Sequence, residues 1–162
     1  MLADTSHDPP SGGQPAAGGT PASDWTNEMV TLSRDECLRL LASQTFGRLA
    51  VAMDTPVIRP INYVFDEPSQ SVVFRTADGS KLHALLLAGN AAFEIDGIDP
   101  GSETGWSVII VGMTEEITSL SEIRRLNRLG VKPWTPGRKP HWMRIRAWTV
   151  SGRRIVVSGP GA

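Results

Sequence analysis

The shortness of the connections between apolar runs constrains this chain more than any other feature of its sequence. Three runs rich in β-branched and aromatic residues occupy residues 46–52, 56–65 and 71–77. Only "MDT" and "DEPSQ" separate them, and a crossover between parallel strands needs a dozen or more residues. The three runs therefore predict an antiparallel meander joined by hairpin turns.

Later segments extend the meander. Runs at 91–97 and 106–118 predict two further strands, and Gly112 within the second predicts a bulge or a sharp bend. The closing segment, 141–157, predicts two more strands around Ser151–Gly152. Six or so antiparallel strands with about three short helices indicate a mainly β protein, a small barrel with helices over its openings, because closure removes exposed strand edges.

Three segments carry helix signals. Ser33 followed by Glu36 forms a capping-box pattern, and an apolar face that includes Cys37 comes next. A Leu-rich helix is predicted from Ser80 to about Ala88. The third helix is predicted within residues 119–130, with Ser121 as its N-cap.

Composition sets the domain limits and excludes several classes of function. Residues 1–24 are rich in Pro, Gly, Ala and Ser, which predicts a disordered tail before one domain at residues 25–158. The net charge of -1 gives no electrostatic basis for binding nucleic acid or a membrane surface. A single cysteine and the lack of a long apolar run lead us to expect a cytoplasmic protein without a membrane partner.

The stretch "FRTADGSKLHALL" suggests an anion site. Gly79, Ser80 and Lys81 stand where a helix is predicted to begin, so unpaired backbone N–H groups and a cation would meet there. Arg75 and Thr76 lie on the strand that leads into this turn. Together they predict a phosphate cradle; the alternative is an ordinary helix start with solvated side chains.

Arg59 interrupts an apolar strand, and a guanidinium on a half-buried strand needs a partner or a ligand. Pro60 cannot donate to a β-ladder, so this strand is predicted at an edge or locally irregular. An edge strand would bring Arg59 near Arg75 and Lys81, and three converging cations suggest a doubly charged anion. The alternative is a surface arginine whose stem packs on the sheet.

The segments "RPINYVFD", "VVFRTADGSKLHALL", "AAFEIDG" and "GWSVIIVGMTEEI" together resemble the pyridoxamine 5'-phosphate oxidase-like family of flavin-binding split β-barrels. The similarity runs from about Ser33 to Ile155 and is greatest to short actinobacterial members. It implies a six-stranded antiparallel split barrel that forms a homodimer. It also implies flavin mononucleotide (FMN) in grooves at the subunit interface, and hydride transfer to an unknown small acceptor.

The resemblance also implies roles for residues. Arg59, Thr76, Ser80 and Lys81 would hold the ribityl phosphate together with neighbouring strand atoms such as those of Arg75. Backbone around Pro60, Ile61 and Asn62 would face the isoalloxazine ring.

The end of the chain departs from the family pattern. The oxidase itself has a C-terminal segment of Arg and His residues that recognises pyridoxal phosphate, and "SGRRIVVSGPGA" has no counterpart. An F420-dependent reductase, a non-catalytic cofactor-binding protein and, less favoured, a haem-binding protein therefore remain alternatives.

Aromatic and histidine residues give further candidates. Trp106 or Trp134 could wall off a flavin ring, although such indoles more often pack in a core or a dimer interface. His141 could titrate near neutrality or donate to a bound ring. No second ligand is spaced to make His141 a metal site, and His83 is expected to be exposed.

The remaining charged residues predict no catalytic side chain. Glu115 and Glu116 are expected at an exposed strand end, and Arg144 with Arg146 in a solvated rim or a second anion contact from a partner subunit. No nucleophile or paired-carboxylate arrangement is evident.

Overall fold

The computed structural model describes residues 26–52, 55–78, 83, 86–87, 89–134 and 136–158. The predicted tail at residues 1–24 lies outside them, as do Met53 and Asp54 of the first predicted turn. Within the described residues the strands are β1 Thr26–Thr31, β2 Phe46–Val51, β3 Val57–Asp66, β4 Ser71–Thr76, β5 Asn90–Asp99, β6 Thr104–Glu116, β7 His141–Arg146 and β8 Thr149–Ser158. The helices are α1 Arg34–Ser43, a 3₁₀ turn Glu67–Ser69 and α2 Leu120–Asn127.

Six strands close into an antiparallel barrel. Their order is β6-β5-β2-β3-β4-β7, and a further pairing of β6 with β7 completes the circle. β8 pairs with residues 105–111 of the β6 edge opposite β5, and β1 pairs with β8. The predicted fold class is confirmed, with two α-helices in the described residues. The Leu-rich helix predicted from Ser80 to about Ala88 falls mostly outside them, although His83, Leu86 and Leu87 are helical.

The barrel interior is filled by alternate side chains of the strands. Leu49, Phe74, Phe93 and Ile110 have no solvent exposure, as expected where one face of each strand points inward. The hydroxyl of the buried Tyr63 donates to the carbonyl oxygen of Leu41 at 2.8 Å. Burial raises the pKa of Tyr63, so this phenol stays a donor in the core.

Helix α1 packs against this core. The predicted capping box is present: the Ser33 N–H donates to Glu36 Oε2 at 2.9 Å, and the Glu36 N–H donates to Ser33 Oγ at 3.3 Å. Cys37 lies on the buried face of α1, and burial raises the pKa of its thiol. The start of α1 is therefore fixed by its own sequence. The orientation of its buried face is fixed by contact with the barrel.

Two boundaries differ from the sequence prediction. The N-cap of α2 is Ser119, whose Oγ accepts from the Glu122 N–H, so Ser121 lies inside the first turn. The turn between β7 and β8 is at residues 147–148, because Gly152 lies within β8 opposite Val108. A Cβ on Gly152 would stand 2.5 Å from the sulfur of Cys37, so this glycine permits close helix packing and not a turn.

Strand β6 exchanges partners at Gly112. It pairs with β8 as far as Val111 and with β7 from Thr114 onward. A Cβ on Gly112 would stand 1.7 Å from the carbonyl oxygen of Arg146. Only glycine admits this approach of two backbones, which brings β7 onto β6 and closes the barrel.

Substituting Gly112→Ala should destabilise the protein by about 3 kcal/mol, because the added methyl must push β6 away from the β7–β8 turn. Gly89→Ala is the matched control, since a Cβ there meets nothing within 4 Å. Urea unfolding of both variants measures the difference. Equal stability of the two would show that the crossing at Gly112 is not tight.

A second cluster lies between α2 and the barrel. Its buried members are Val73, Ile117, Leu126, Val131 and Trp142. At its margin Arg125 donates to both carboxylate oxygens of Asp66, at 2.5 and 2.8 Å, and Asp66 has 1% exposure. The hydrogen bonds from Arg125, supported by Ser69, hold the pKa of Asp66 below its ordinary value.

Asp66→Asn should lower the free energy of unfolding by about 2 kcal/mol at neutral pH, because a hydrogen-bonded charge pair is lost. Since the folded pKa of Asp66 is depressed, its contribution is present above the unfolded pKa of about 3.9 and is lost as pH falls through the folded pKa. The two proteins should therefore converge in stability in acid. Denaturant titrations across pH measure this; a difference that persists at the lowest pH would contradict it.

Glu94→Gln is the control. It removes an exposed contact with Arg48, so only a small change is expected.

In the described part of the chain, no helix has both the length and the apolar character needed to cross a membrane.

Candidate functional site

A cleft of about 330 Å³ opens beside the first half of β3. Over residues 57–62 this strand pairs with β2 alone, and pairing with β4 begins at Tyr63. The free edge agrees with the edge position predicted from Pro60. Seven of the residues named from the sequence as site candidates line the cleft: Arg59, Pro60, Ile61, Asn62, Arg75, Thr76 and Trp134. The other described residues lining it are Phe46, Ala77, Pro133 and Lys139.

The remaining sequence candidates do not line this cleft. Ser80 and Lys81 lie outside the described residues. Trp106 lines a separate cleft of about 370 Å³ between residues of β5, β6 and β8, and its indole packs over Gly97. His141 begins β7 as the register partner of Thr76, next to the cleft but not among the residues that line it.

Arg75 is held in place from two sides. Its Nε donates to the carbonyl oxygen of Lys139 at 2.8 Å, and its guanidinium carbon lies 5.1 Å from the ring centre of Trp142. Trp142 is the register partner of Arg75 on β7, so the sheet itself creates this cation–π contact. The contacts orient the guanidinium at the wall of the cleft.

The cleft is cationic. Arg59 is exposed, and its Nη1 donates to the carbonyl oxygen of Ile58 at 3.2 Å. With Arg75 and Lys139 it gives three cations, and among the described lining residues there is no acid. Such a set of charges favours an anionic ligand, because the described residues of the lining offer Arg59 and Arg75 no carboxylate.

An aromatic wall faces the cations. Phe46 and Trp134 are stacked with ring centres 5.6 Å apart and planes inclined by 10°, and Trp134 is 73% exposed. The backbone N–H of Trp134 donates to Asn62 Oδ1 at 2.9 Å, which ties its loop to β3. Asn62 Nδ2 is buried and has no acceptor within the described part of the chain. A planar ligand with a carbonyl oxygen would satisfy this donor.

Sequence reasoning did not place Phe46, Pro133 or Lys139 in this cleft. The register of the β2–β3 hairpin pairs Phe46 with Asn62, and counting back from the turn could have found it. Pro133 and Lys139 reach the cleft through a long loop, for which the sequence offers no register.

A cluster of polar side chains lies next to the cleft, where β4 and β6 end and β7 begins. Glu116 Oε1 is 2.6 Å from His141 Nδ1, and Glu116 Oε2 is 3.3 Å from His83 Nε2. The two imidazoles stack with centres 3.9 Å apart, and Asp78 contacts His141 Nε2. Glu116 and then Asp78 raise the pKa of His141, while His141 and then His83 lower the pKa of Glu116.

This cluster corrects two expectations. His83 is not exposed, having 15% of its side-chain surface accessible, and Glu116 ends β6 as predicted but is part-buried at 27%. The chain separation of these residues hid their contact, because the pairing of β6 with β7 brings them together.

The expected solvated rim of Arg144 and Arg146 is wrong for Arg144. Its side chain is 10% exposed and pairs with Glu115 at 2.6 Å and with Glu122 at 2.8 Å. Arg146 pairs with Glu115 at 2.7 Å. Strand β6 and helix α2 thus neutralise both arginines.

A family model described as pyridoxamine 5'-phosphate oxidase matches residues 33–154, which include the barrel strands β2 to β7 and the cleft. The chain belongs to this family. The resemblance inferred from sequence motifs is therefore confirmed. As a member of the pyridoxamine 5'-phosphate oxidase family the chain has the flavin split-barrel fold.

The chain is also similar to individual proteins and solved structures. Protein Rv0080 of Mycobacterium tuberculosis is 33% identical over 135 residues, which cover 80% of this chain and 87% of the relative. The structure of the FAD binding protein from Mycobacterium smegmatis is similar with a TM-score of 0.66 and 35% identity, covering 77% of this chain and 98% of that one. The FAD and heme binding protein from the same organism shares the fold, with a TM-score of 0.63 and 16% identity over 82% of this chain and 76% of that one.

The Asn62 side chain should hold the loop of Trp134 against β3. Asn62→Ala removes the acceptor of the Trp134 N–H, so the amide hydrogen of Trp134 should exchange faster with solvent. Asn62→Asp keeps an oxygen at that position and should retain protection. Hydrogen exchange followed by NMR measures the exchange rate of this amide in both variants. Equal rates in the wild type and Asn62→Ala would show that the hydrogen bond to Asn62 does not hold the loop.

Proposed function

We propose that the cleft binds a flavin nucleotide, FMN in the first instance, and that the protein is a flavin-dependent oxidoreductase with a small-molecule acceptor. One observation carries the proposal: Arg59 and Arg75 stand in one cleft with an exposed aromatic wall and the buried Asn62 Nδ2, and the described residues that line it offer no acid to the arginines and no acceptor to the amide. The M. smegmatis relative at 35% identity is described as binding FAD, which contains FMN as a part. This similarity supports a flavin over other planar anions.

The cationic side would bind the phosphate. Arg75 is already oriented by Lys139 and Trp142, so its guanidinium loses little freedom when it contacts an anion. Arg59 enters from the free edge of β3 and would contact the same group. Thr76 ends β4 beside them. Ser80 and Lys81, outside the described residues, are proposed as further phosphate contacts on the family pattern alone.

The other side would hold the ring system. Backbone of Pro60, Ile61 and Asn62 lies along the cleft, and Asn62 Nδ2 would donate to a ring carbonyl oxygen. Trp134 would cover the ring and exclude water from it. A bound flavin supplies hydride transfer through its N5 atom, and the protein supplies binding and orientation. We propose no side-chain nucleophile or general base.

We also propose that the protein is a cytoplasmic homodimer. Three apolar side chains of β6 point outward at alternate positions: Ile109, Val111 and Met113, each at least 41% exposed. Ala92 of β5 lies opposite Val111 and extends this face. A second copy of the chain would bury such a stripe in a two-fold interface, as oligomers commonly do.

Titration of the full chain with FMN and with riboflavin tests the proposal. Wild type should bind FMN more tightly, since riboflavin lacks the phosphate. Arg59→Ala/Arg75→Ala should weaken FMN by about 100-fold or more, because each charged hydrogen bond contributes about 1.5–3 kcal/mol. Riboflavin affinity should change little. Quenching of flavin fluorescence gives both constants, and light scattering on the same sample should give twice the chain mass.

Arg153→Ala is the matched control, because Arg153 is an exposed arginine of β8 outside the cleft. A preference for FMN over riboflavin that survives in the double variant would place the phosphate elsewhere. Binding of F420 or haem with no affinity for flavin, seen in the visible spectrum, would overturn the flavin assignment. A bound flavin that no reductant or acceptor turns over would leave a binding protein and reject the oxidoreductase.

A further inference from the structure

The polar cluster beside the cleft has the composition of a metal site. Ligand atoms of His83, Glu116 and His141 all lie within 4.8 Å of one another. Each of the three side chains is part-buried, with 15–27% of its surface accessible. The cluster is therefore shielded by protein on one side and open to a small solute on the other.

We propose that His83, Glu116 and His141 bind one divalent transition cation of the Zn²⁺ type. Two imidazole nitrogens and one carboxylate oxygen suit Zn²⁺, whereas Mg²⁺ and Ca²⁺ prefer sites made wholly of oxygen. The carboxylate of Glu116 already faces both imidazoles, one oxygen toward each. Three protein ligands leave a fourth position for water or an anion.

Asp78 completes the arrangement as an outer partner. His141 faces Glu116 with Nδ1 and Asp78 with Nε2. An ion bound at Nδ1 leaves the Nε2–H to donate to Asp78. Histidine ligands in proteins usually donate their second N–H to a carboxylate in this way, which fixes the ring and raises its basicity.

Ion binding requires a local rearrangement. The imidazole planes are now stacked at 3.9 Å and inclined by 27°, so their in-plane lone pairs do not meet at one point. Ligand atoms around tetrahedral Zn²⁺ stand roughly 3.3 Å apart at bond lengths near 2.0–2.1 Å. Rotation of the His83 ring about its side-chain bonds brings its Nε2 toward the other two ligands, without movement of β6 or β7.

The position of the ligands gives the site a structural consequence. Asp78 and His83 stand on either side of residues 79–82, while Glu116 ends β6 and His141 begins β7. A bound cation would therefore fasten the connection after β4 to two strands of the barrel. The same connection carries Ser80 and Lys81.

The experiment uses the full chain, dialysed against a chelator and without added flavin, so its outcome is independent of the proposed function. The chain has three histidines, and the third, His7, is a built-in reference. One equivalent of Zn²⁺ should shift the ring NMR signals of His83 and His141 and leave those of His7 unchanged. Millimolar Mg²⁺ should shift none of them.

Competition with a chromophoric chelator measures the Zn²⁺ affinity of variants. His83→Gln, His141→Gln and Glu116→Gln should each weaken binding by at least about 10-fold, and Asp78→Asn by about 10–100-fold, the usual effect of losing an outer carboxylate. His7→Gln is the matched control and should bind as the wild type. Circular dichroism confirms that each variant is folded. If another variant fails to fold, His83→Gln still tests the site, because it changes only one side chain at the barrel rim.

Two results would overturn the site. One is a wild-type affinity for Zn²⁺ no greater than that of His83→Gln. The other is a Zn²⁺ shift that is largest at His7, or that grows without saturation beyond one equivalent, since both show non-specific binding to imidazoles.

Discussion

The contact of β6 with the end of β7 at Gly112 is the constraint on which the rest of the structure depends. A six-stranded barrel closes only if every strand pairs with two members of the circle, and β6 does so because it pairs with β5 on one edge and with β7 on the edge that β8 occupies as far as Val111. The carbonyl of Arg146 occupies the space that a side chain at Gly112 would fill. Because β6 can exchange β8 for β7 at that point, Glu115 and Glu116 come opposite Arg144 and Met143 of β7. The ion pairs of Arg144 and the histidine cluster both follow from this closure.

The cleft, in contrast, arises where β3 has a partner on one edge only: residues 57–62 pair with β2 but not with β4. Pro60 has no N–H to give to a neighbour, and β4 reaches only as far as Tyr63 along β3. The polar edge that remains is covered by the loop of Trp134, which Asn62 and Phe46 hold in place through a hydrogen bond and a ring stack. A concave space with cations on one wall and aromatic rings on the other is the result. Irregular pairing thus produces the site, while the closed circle of strands keeps it rigid.

Local signals in the sequence predicted the features that local interactions decide. Turn lengths predicted the antiparallel order, Ser33 and Glu36 predicted their capping box, and Pro60 predicted a free edge at which Arg59 would lie. The sequence was less informative where distant segments meet. Gly152 resembles a turn residue until the sulfur of Cys37 is seen against it. The pairing of Arg144 with Glu115 and Glu122 depends on a register and a helix position that no spacing along the chain reveals.

The two sites lie at the same end of β4, and their charges explain how they can coexist. Arg75 and Thr76 face the cleft, while His141, the register partner of Thr76, faces Glu116 and Asp78. Those two carboxylates are engaged by the imidazoles and so offer less competition for the arginines of the cleft. Removing either histidine would leave Glu116 short of a partner beside a cationic groove. The histidine cluster therefore engages two carboxylates next to the cleft, and within the described part of the chain no acid lines the cleft beside Arg59 and Arg75.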